Sequence, residues 1–209
     1  RIDNILKGAM SPKSSLWENL QMLPLLKDVS KWFPKRSTSR GECQQVVWQG
    51  EDVDLNKLPI IKSWPYDGGA FITLPMVATV DPETGVHNLG MYRMQVFDKR
   101  TTGMHWHRHK TGARHYDAYK RLGKRMPVSV ALGGDPAYIY SATAPMPDNI
   151  DEMLLAGMLR EKPVRMVKCL TNDLWVPADC DFVLEGYVDP TEDLTIEGPF
   201  GDHTGFYSL

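Results

Sequence analysis

Three separated stretches carry side chains of the right types for acid–base and ion chemistry. Asn88-Leu89-Gly90-Met91-Tyr92-Arg93 offers an amide oxygen, a bare glycine backbone and a permanently charged guanidinium fork. Glu197 and Asp202 bracket Gly198-Pro199-Phe200-Gly201, a sequence built to turn tightly. Two carboxylates held near one arginine are pushed to different pKa values, one staying charged and one able to donate a proton. An acidic loop around an ordinary tight turn is the plain alternative. Asn88, His109 and Glu152 form a mixed oxygen and nitrogen donor set suited to a hard divalent ion such as Mg²⁺ or Mn²⁺. A competing set is His105-Trp106-His107-Arg108-His109, which on a strand would turn three imidazoles to one face, as a zinc site needs. Neighbouring positions on a flat strand converge poorly on one ion, and Arg108 is unfavourable there. A structural histidine stretch is the third reading.

These side chains need a scaffold of strands. Asp81-Pro82-Glu83-Thr84-Gly85 is a turn signal, and the segment after it opens a strand running to Phe97. In a regular strand Asn88 and Arg93 would face opposite sides, so Gly90 predicts a bulge or a close approach of backbone to ligand. Short apolar or β-branched runs recur at 44–48, 70–80, 90–97, 126–132, 164–170 and 182–188, bounded by Gly, Pro and Asp. They predict a mainly β fold with helices, an α+β barrel or sandwich, with helices over 112–122 and 148–160 and Asp148 capping the second. Residues 1 to about 36 read as helical, with Leu16, Leu20 and Leu23 on one stripe and a stop before Pro34. Residues 35–41 read as a connection, dividing a partial N-terminal unit (1–42) from the main one (43–209).

Charge and composition exclude several classes. The 209 residues hold 24 Lys and Arg against 26 Asp and Glu, which gives no electrostatic footprint for nucleic acid or an anionic membrane. No apolar run is long enough to span a bilayer, so no stable membrane insertion is expected. Cys43, Cys169 and Cys180 are odd in number and widely spaced, which fits reduced thiols in a cytoplasmic protein. The chain starts at Arg1 without an initiator Met and stops at Leu209 just after a glycine turn, as expected of a piece of a longer protein. Gly133-Gly134-Asp135-Pro136 reads as a turn rather than a nucleotide loop, and no nucleophile-elbow or catalytic-cysteine signature is present. Ser141-Ala142-Thr143-Ala144-Pro145 reads as a loop before the second helix, small enough to admit a ring or a phosphate.

Several motifs in order resemble one family. They are Asn-Leu-Gly-Met-Tyr-Arg at 88–93, Met-Pro-Val-Ser-Val-Ala-Leu-Gly-Gly-Asp-Pro at 126–136, Pro-Met-Pro-Asp at 145–148 with Glu152, Val-Pro-Ala at 176–178, Val-Leu-Glu-Gly at 183–186, and Glu-Gly-Pro-Phe-Gly-Asp-His-Thr-Gly at 197–205. Together they resemble the UbiD family of prenylated-FMN-dependent (de)carboxylases, over nearly the whole chain.

The resemblance implies a split β-barrel of flavin-reductase type, preceded by part of an N-terminal α/β segment and followed, in the family, by a C-terminal domain that drives homo-oligomerisation. It implies a metal site on Asn88, Glu152 and His109 holding Mn²⁺, or Mg²⁺, with K⁺ a further ion. It implies prenylated FMN, supplied by a flavin prenyltransferase, against Met91, Tyr92, Arg93, His105, Trp106, His107, Lys110, Ser141, Ala142, Thr143 and Pro145. It implies a catalytic set of Arg93, Glu197 and Asp202, with Asp202 protonated in an apolar pocket, acting on an aromatic or unsaturated acid as in the ubiquinone-pathway members. An FMN oxidoreductase on the same barrel and a catalytically silent assembly module are the rival expectations.

Overall fold

The computed structural model describes residue 27, residues 29–146 and residues 150–209. The leucine stripe at 16–23 and the cap at Asp148 lie outside the described residues.

The central element is a four-stranded antiparallel sheet in the order β10 (Phe182–Val188), β7 (Met126–Leu132), β3 (Met76–Val80), β4 (His87–Met91). β3 is buried on both faces, and its alternation sorts the interior. Met76 and Ala78 point into one cluster with Leu89, Ala131 and Tyr138. Val77 points the other way, into a second cluster with Ile72, Tyr92, Met94 and Val130. A fully buried Met or Val side chain contributes about 1.5–3 kcal/mol, so β3 tolerates little change on either face. The first face is covered by helices α2 (Pro136–Thr143) and α3 (Glu152–Leu159) and by the sheet β1 (Lys35–Ser37), β8 (Arg165–Lys168), β9 (Trp175–Pro177). The second face is covered by β2 (Phe71–Ile72), β5 (Met94–Val96) and β6 (Thr102–Met104). Helix α1 (Thr111–Leu122) packs on β3, β4 and β7, and a last hairpin joins β11 (Phe200–Gly201) to β12 (Tyr207–Ser208). The fold is mainly β with few helices, as the sequence predicts, and among the described residues the sheets do not close into a continuous barrel.

Several local expectations are corrected. The run 90–97 is two strands: β4 ends at Met91 in the central sheet and β5 begins at Met94 in the other. Tyr92 and Arg93 are therefore the corner where the chain changes sheets. The strand pairing is regular through Gly90, with no bulge. What approaches that glycine is the Tyr92 phenol, which folds back over it and leaves no room for a Cβ. Residues 35–37 are a strand parallel to β8, not a connection. The run 44–48 forms no strand; a single 3₁₀ turn spans Glu42–Gln44, and Val46 is 78% exposed. Gly133-Gly134-Asp135-Pro136 opens α2, with Asp135 accepting from the Ala137 N–H and Pro136 at the first helical position, so Ser141, Ala142 and Thr143 are its last turn rather than a loop. The α3 cap is Asp151, whose carboxylate accepts from the Met153 N–H at 2.8 Å.

Candidate active site

The corner at Tyr92 and Arg93 meets the segment leading into the last hairpin, and there the Glu197 carboxylate comes to the guanidinium. Arg93 Nε and Nη2 donate to Glu197 Oε1 and Oε2 at 2.7 and 2.8 Å, a bidentate pair. Their side chains are 13% and 7% exposed, so the pair is shielded from water. Arg93 Nη1 donates to Ser208 Oγ at 2.9 Å, and the guanidinium lies 4.5 Å over the Phe200 ring. His105 Nδ1 lies 3.1 Å from Glu197 Oε2 and 3.4 Å from Arg93 Nη2, so the imidazole closes the group on its third side.

Two buried polar residues that sequence reasoning missed hold this turn. Gln95 Oε1 accepts from the Gly198 N–H, and Asp67 Oδ1 accepts from the Gly201 N–H, both at 2.7 Å. Gly68 lies against the Gly198 carbonyl and Gly201 against Trp64, so these glycines admit other parts of the protein rather than a ligand. Nothing local marks Asp67 or Gln95, because their partners lie more than a hundred residues away.

A cavity of about 370 Å³ opens beside the pair, lined by Arg93, His105, Trp106, His107, Asp202 and Ser208 among others. Asp202 shares this cavity but makes no hydrogen bond to Arg93; it pairs with His203 Nδ1 at 2.6 Å. That hydrogen bond holds its carboxyl below the usual carboxylate range, and the side chain is 37% exposed. The expectation of a protonated Asp202 in an apolar pocket is therefore corrected for this arrangement. Water and an imidazole surround it where a low-dielectric wall would be needed to raise its pKa.

On the other side of the Asn88–Arg93 segment lies a cavity of about 320 Å³, lined by Asn88, Glu152, His87, Thr111, Arg114 and His115 among others. β4 supplies Asn88 and the first residue of α3 supplies Glu152. Glu152 Oε2 accepts from the Leu89 N–H at 3.0 Å, which ties the helix start to the strand. Burial pushes its carboxyl up to about 7. Arg114 lines the same cavity. Burial also lowers His87 and His115, keeping both imidazoles neutral; His115 is anchored to Thr79 Oγ1 at 2.9 Å.

The remaining expected contacts divide. His105, Trp106 and His107 line the first cavity, but past the end of β6 rather than on a strand. His105 and His107 pack edge to face and His107 stacks on His109, so the three imidazoles do not present one face. Among the described residues no three His, Cys, Asp or Glu side chains gather as a metal cage, and His109 is not in the lining of the second cavity. Tyr92 is 6% exposed, and its oxygen accepts from the Gly112 N–H at 3.1 Å, so it packs β4 against α1 instead of lining either cavity. Met91, Lys110, Ser141, Ala142, Thr143 and Pro145 are likewise outside both linings. Ser141 Oγ donates back to the Ala137 carbonyl within α2. Trp106 lines the first cavity, and its indole N–H is buried without an acceptor.

Residues 35–209 match the family model described as UbiD, 3-octaprenyl-4-hydroxybenzoate carboxy-lyase Rift-related domain. The chain belongs to the UbiD family. It is 50% identical over its whole length to an uncharacterized protein of Aquifex aeolicus, covering 42% of that protein, and 48% identical to one of Archaeoglobus fulgidus, again covering 42%. UbiD-class structures superpose closely. Vanillic acid decarboxylase of Sedimentibacter hydroxybenzoicus in closed form matches 99% of this chain with a TM-score of 0.81 and 27% identity, over 45% of its own length. The UbiD-class enzyme HmfF of Pelotomaculum thermopropionicum, in an evolved dimeric form with prenylated FMN, matches 95% with a TM-score of 0.78 and 25% identity, over 48% of its length. The chain thus has the fold of UbiD-class decarboxylases and spans less than half the length of these relatives. No helix among the described residues is long and apolar enough to cross a membrane.

Proposed function

We propose that the UbiD protein carrying this chain catalyses the reversible, non-oxidative decarboxylation of an aromatic or α,β-unsaturated carboxylic acid. The observation that carries the proposal is the shielded Arg93–Glu197 pair at the wall of a cavity that also holds Asp202. The difficulty of the reaction is the carbanion left when CO₂ departs, and prenylated FMN, when bound, supplies an electron sink for it. Arg93, already fixed by Glu197 and Ser208, orients the substrate carboxylate. Asp202 moves the proton: R–COO⁻ and H⁺ become R–H and CO₂, with the proton delivered from the Asp202 carboxyl to the carbon that lost CO₂. Asn88 and Glu152, with His109 as the third ligand, would hold Mn²⁺ or Mg²⁺, with K⁺ as a further ion, and that charge would favour binding of the cofactor phosphate. The buried Glu152 carboxyl, its pKa raised by burial, fits that ion. A flavin prenyltransferase supplies the cofactor, and the intact protein is a cytoplasmic homo-oligomer.

The test is Asp202→Asn in the intact, cofactor-loaded protein. The variant keeps the flavin spectrum and loses turnover by about 10² to 10⁴-fold, the usual cost of losing a general acid. CO₂ release within tenfold of wild type removes Asp202 from the reaction.

A further inference from the structure

All three cysteines lie away from both cavities, and two of them meet. Cys43 is half-buried in the Glu42–Gln44 turn, which is clamped to the far end of β9. Its N–H donates to the Ala178 carbonyl at 3.1 Å, and Gln44 Nε2 donates to the Lys168 carbonyl at 2.8 Å. Gly41 lies so close that a Cβ there would come within 2.6 Å of the Ala178 oxygen. Cys180, 3% exposed, sits in the turn after β9. Both thiols aim at one acceptor: Cys43 Sγ lies 3.7 Å and Cys180 Sγ 3.0 Å from the Pro177 carbonyl oxygen.

We propose that Cys43 and Cys180 are an oxidation-sensitive dithiol that closes to an intramolecular disulfide by exchange with a small-molecule disulfide such as oxidised glutathione. The pair is asymmetric in the way exchange requires. The hydrogen bond from Cys180 lowers the Cys43 thiol below its ordinary range, and Cys43 is the more accessible sulfur. The same bond, with burial, raises Cys180. The Cys43 thiolate attacks one sulfur of the oxidised disulfide; that S–S bond breaks and one glutathione thiol leaves. The Cys180 sulfur, giving up its proton to solvent, then attacks Cys43 Sγ in the mixed disulfide and expels the second glutathione. Two protein thiols are oxidised and one glutathione disulfide is reduced to two thiols. Sulfurs gathered at one carbonyl oxygen need to turn toward each other to reach the S–S length of about 2.05 Å. Closure staples the segment around residue 43 to the core of the sheet β1-β8-β9. Cys169 is a spectator: its thiol contacts Ser129 Oγ at 3.2 Å, and burial pushes it up to about 12.

The test incubates the intact protein with mixtures of reduced and oxidised glutathione, traps thiols with an alkylating reagent and maps the peptides. Cys43 and Cys180 lose alkylation together as the oxidised fraction rises and appear as one cross-linked peptide, while Cys169 stays alkylated. Dithiothreitol restores both. In Cys180→Ser, Cys43 stops as a stable glutathione adduct. A wild-type protein that keeps both thiols alkylatable, or that carries the stable adduct on Cys43, overturns the proposal.

Discussion

Replacing Glu197 by Gln keeps the shape of the Arg93 partner and removes its charge. One amide oxygen still accepts from the guanidinium, but the amide nitrogen now faces a donor where Arg93 had a second acceptor. Ser208 Oγ and the Phe200 ring remain, and neither neutralises a cation that is 13% exposed. Breaking a shielded ion pair by removing one partner costs about 3–5 kcal/mol, mostly because the other charge is left buried. Some solvent reaches this pair, so the lower end applies: about 3 kcal/mol, or a factor of roughly 150 in the folding equilibrium. The assay is urea unfolding of the metal-free intact protein, followed by tryptophan fluorescence, over the cycle wild type, Glu197→Gln, Arg93→Met and the double variant. The double variant costs clearly less than the two singles added, with a coupling of about 2 kcal/mol or more that changes little between low and high salt. A coupling below about 1 kcal/mol, the range of exposed pairs, refutes the claim that this pair is a buried anchor for the site.

Two further outcomes follow from the second cavity and the corner. The folded state raises the Glu152 carboxyl from 4.5 to about 7. Its contribution is therefore fully present below about pH 4.5 and is lost as pH rises through about 7, at most roughly 3 kcal/mol. In chelator-treated protein, stability falls across that window; Glu152→Gln flattens the fall, and Mn²⁺ restores wild-type but not variant stability at pH 8. Superimposable wild-type and Glu152→Gln profiles would sink the idea that burial raises this carboxyl. Gly90→Ala places a methyl group in the Tyr92 phenol, which is held by the Gly112 N–H. Expelling that ring costs about 1–3 kcal/mol and disturbs the Arg93 corner, so both stability and flavin retention should drop. An alanine variant with wild-type unfolding shows that the ring has somewhere else to go.

Much of this protein is written locally. The strands at 126–132 and 182–188 and the helix ending at Leu122 follow from period, branching and a Gly123 stop, because a side chain's face is set by its neighbours two or four positions away. Helix α2 was equally legible in its Asp135 cap and Pro136 start, a signal overshadowed by the two preceding glycines. The ordered motifs were enough to place the chain in its family and to nominate Arg93, Glu197, Asn88 and Glu152.

Tertiary structure alone decided how those residues are used. It broke the 90–97 run at Arg93, because the corner between two sheets depends on what each half pairs with, β3 on one side and β2 on the other. It set Glu197 on the guanidinium and left Asp202 on an imidazole, although the two carboxylates are close in sequence. It buried Glu152 at a helix start and brought Cys43 and Cys180 to one carbonyl oxygen. Charge state and contact depend on solvent exclusion by distant segments, and no local pattern encodes that.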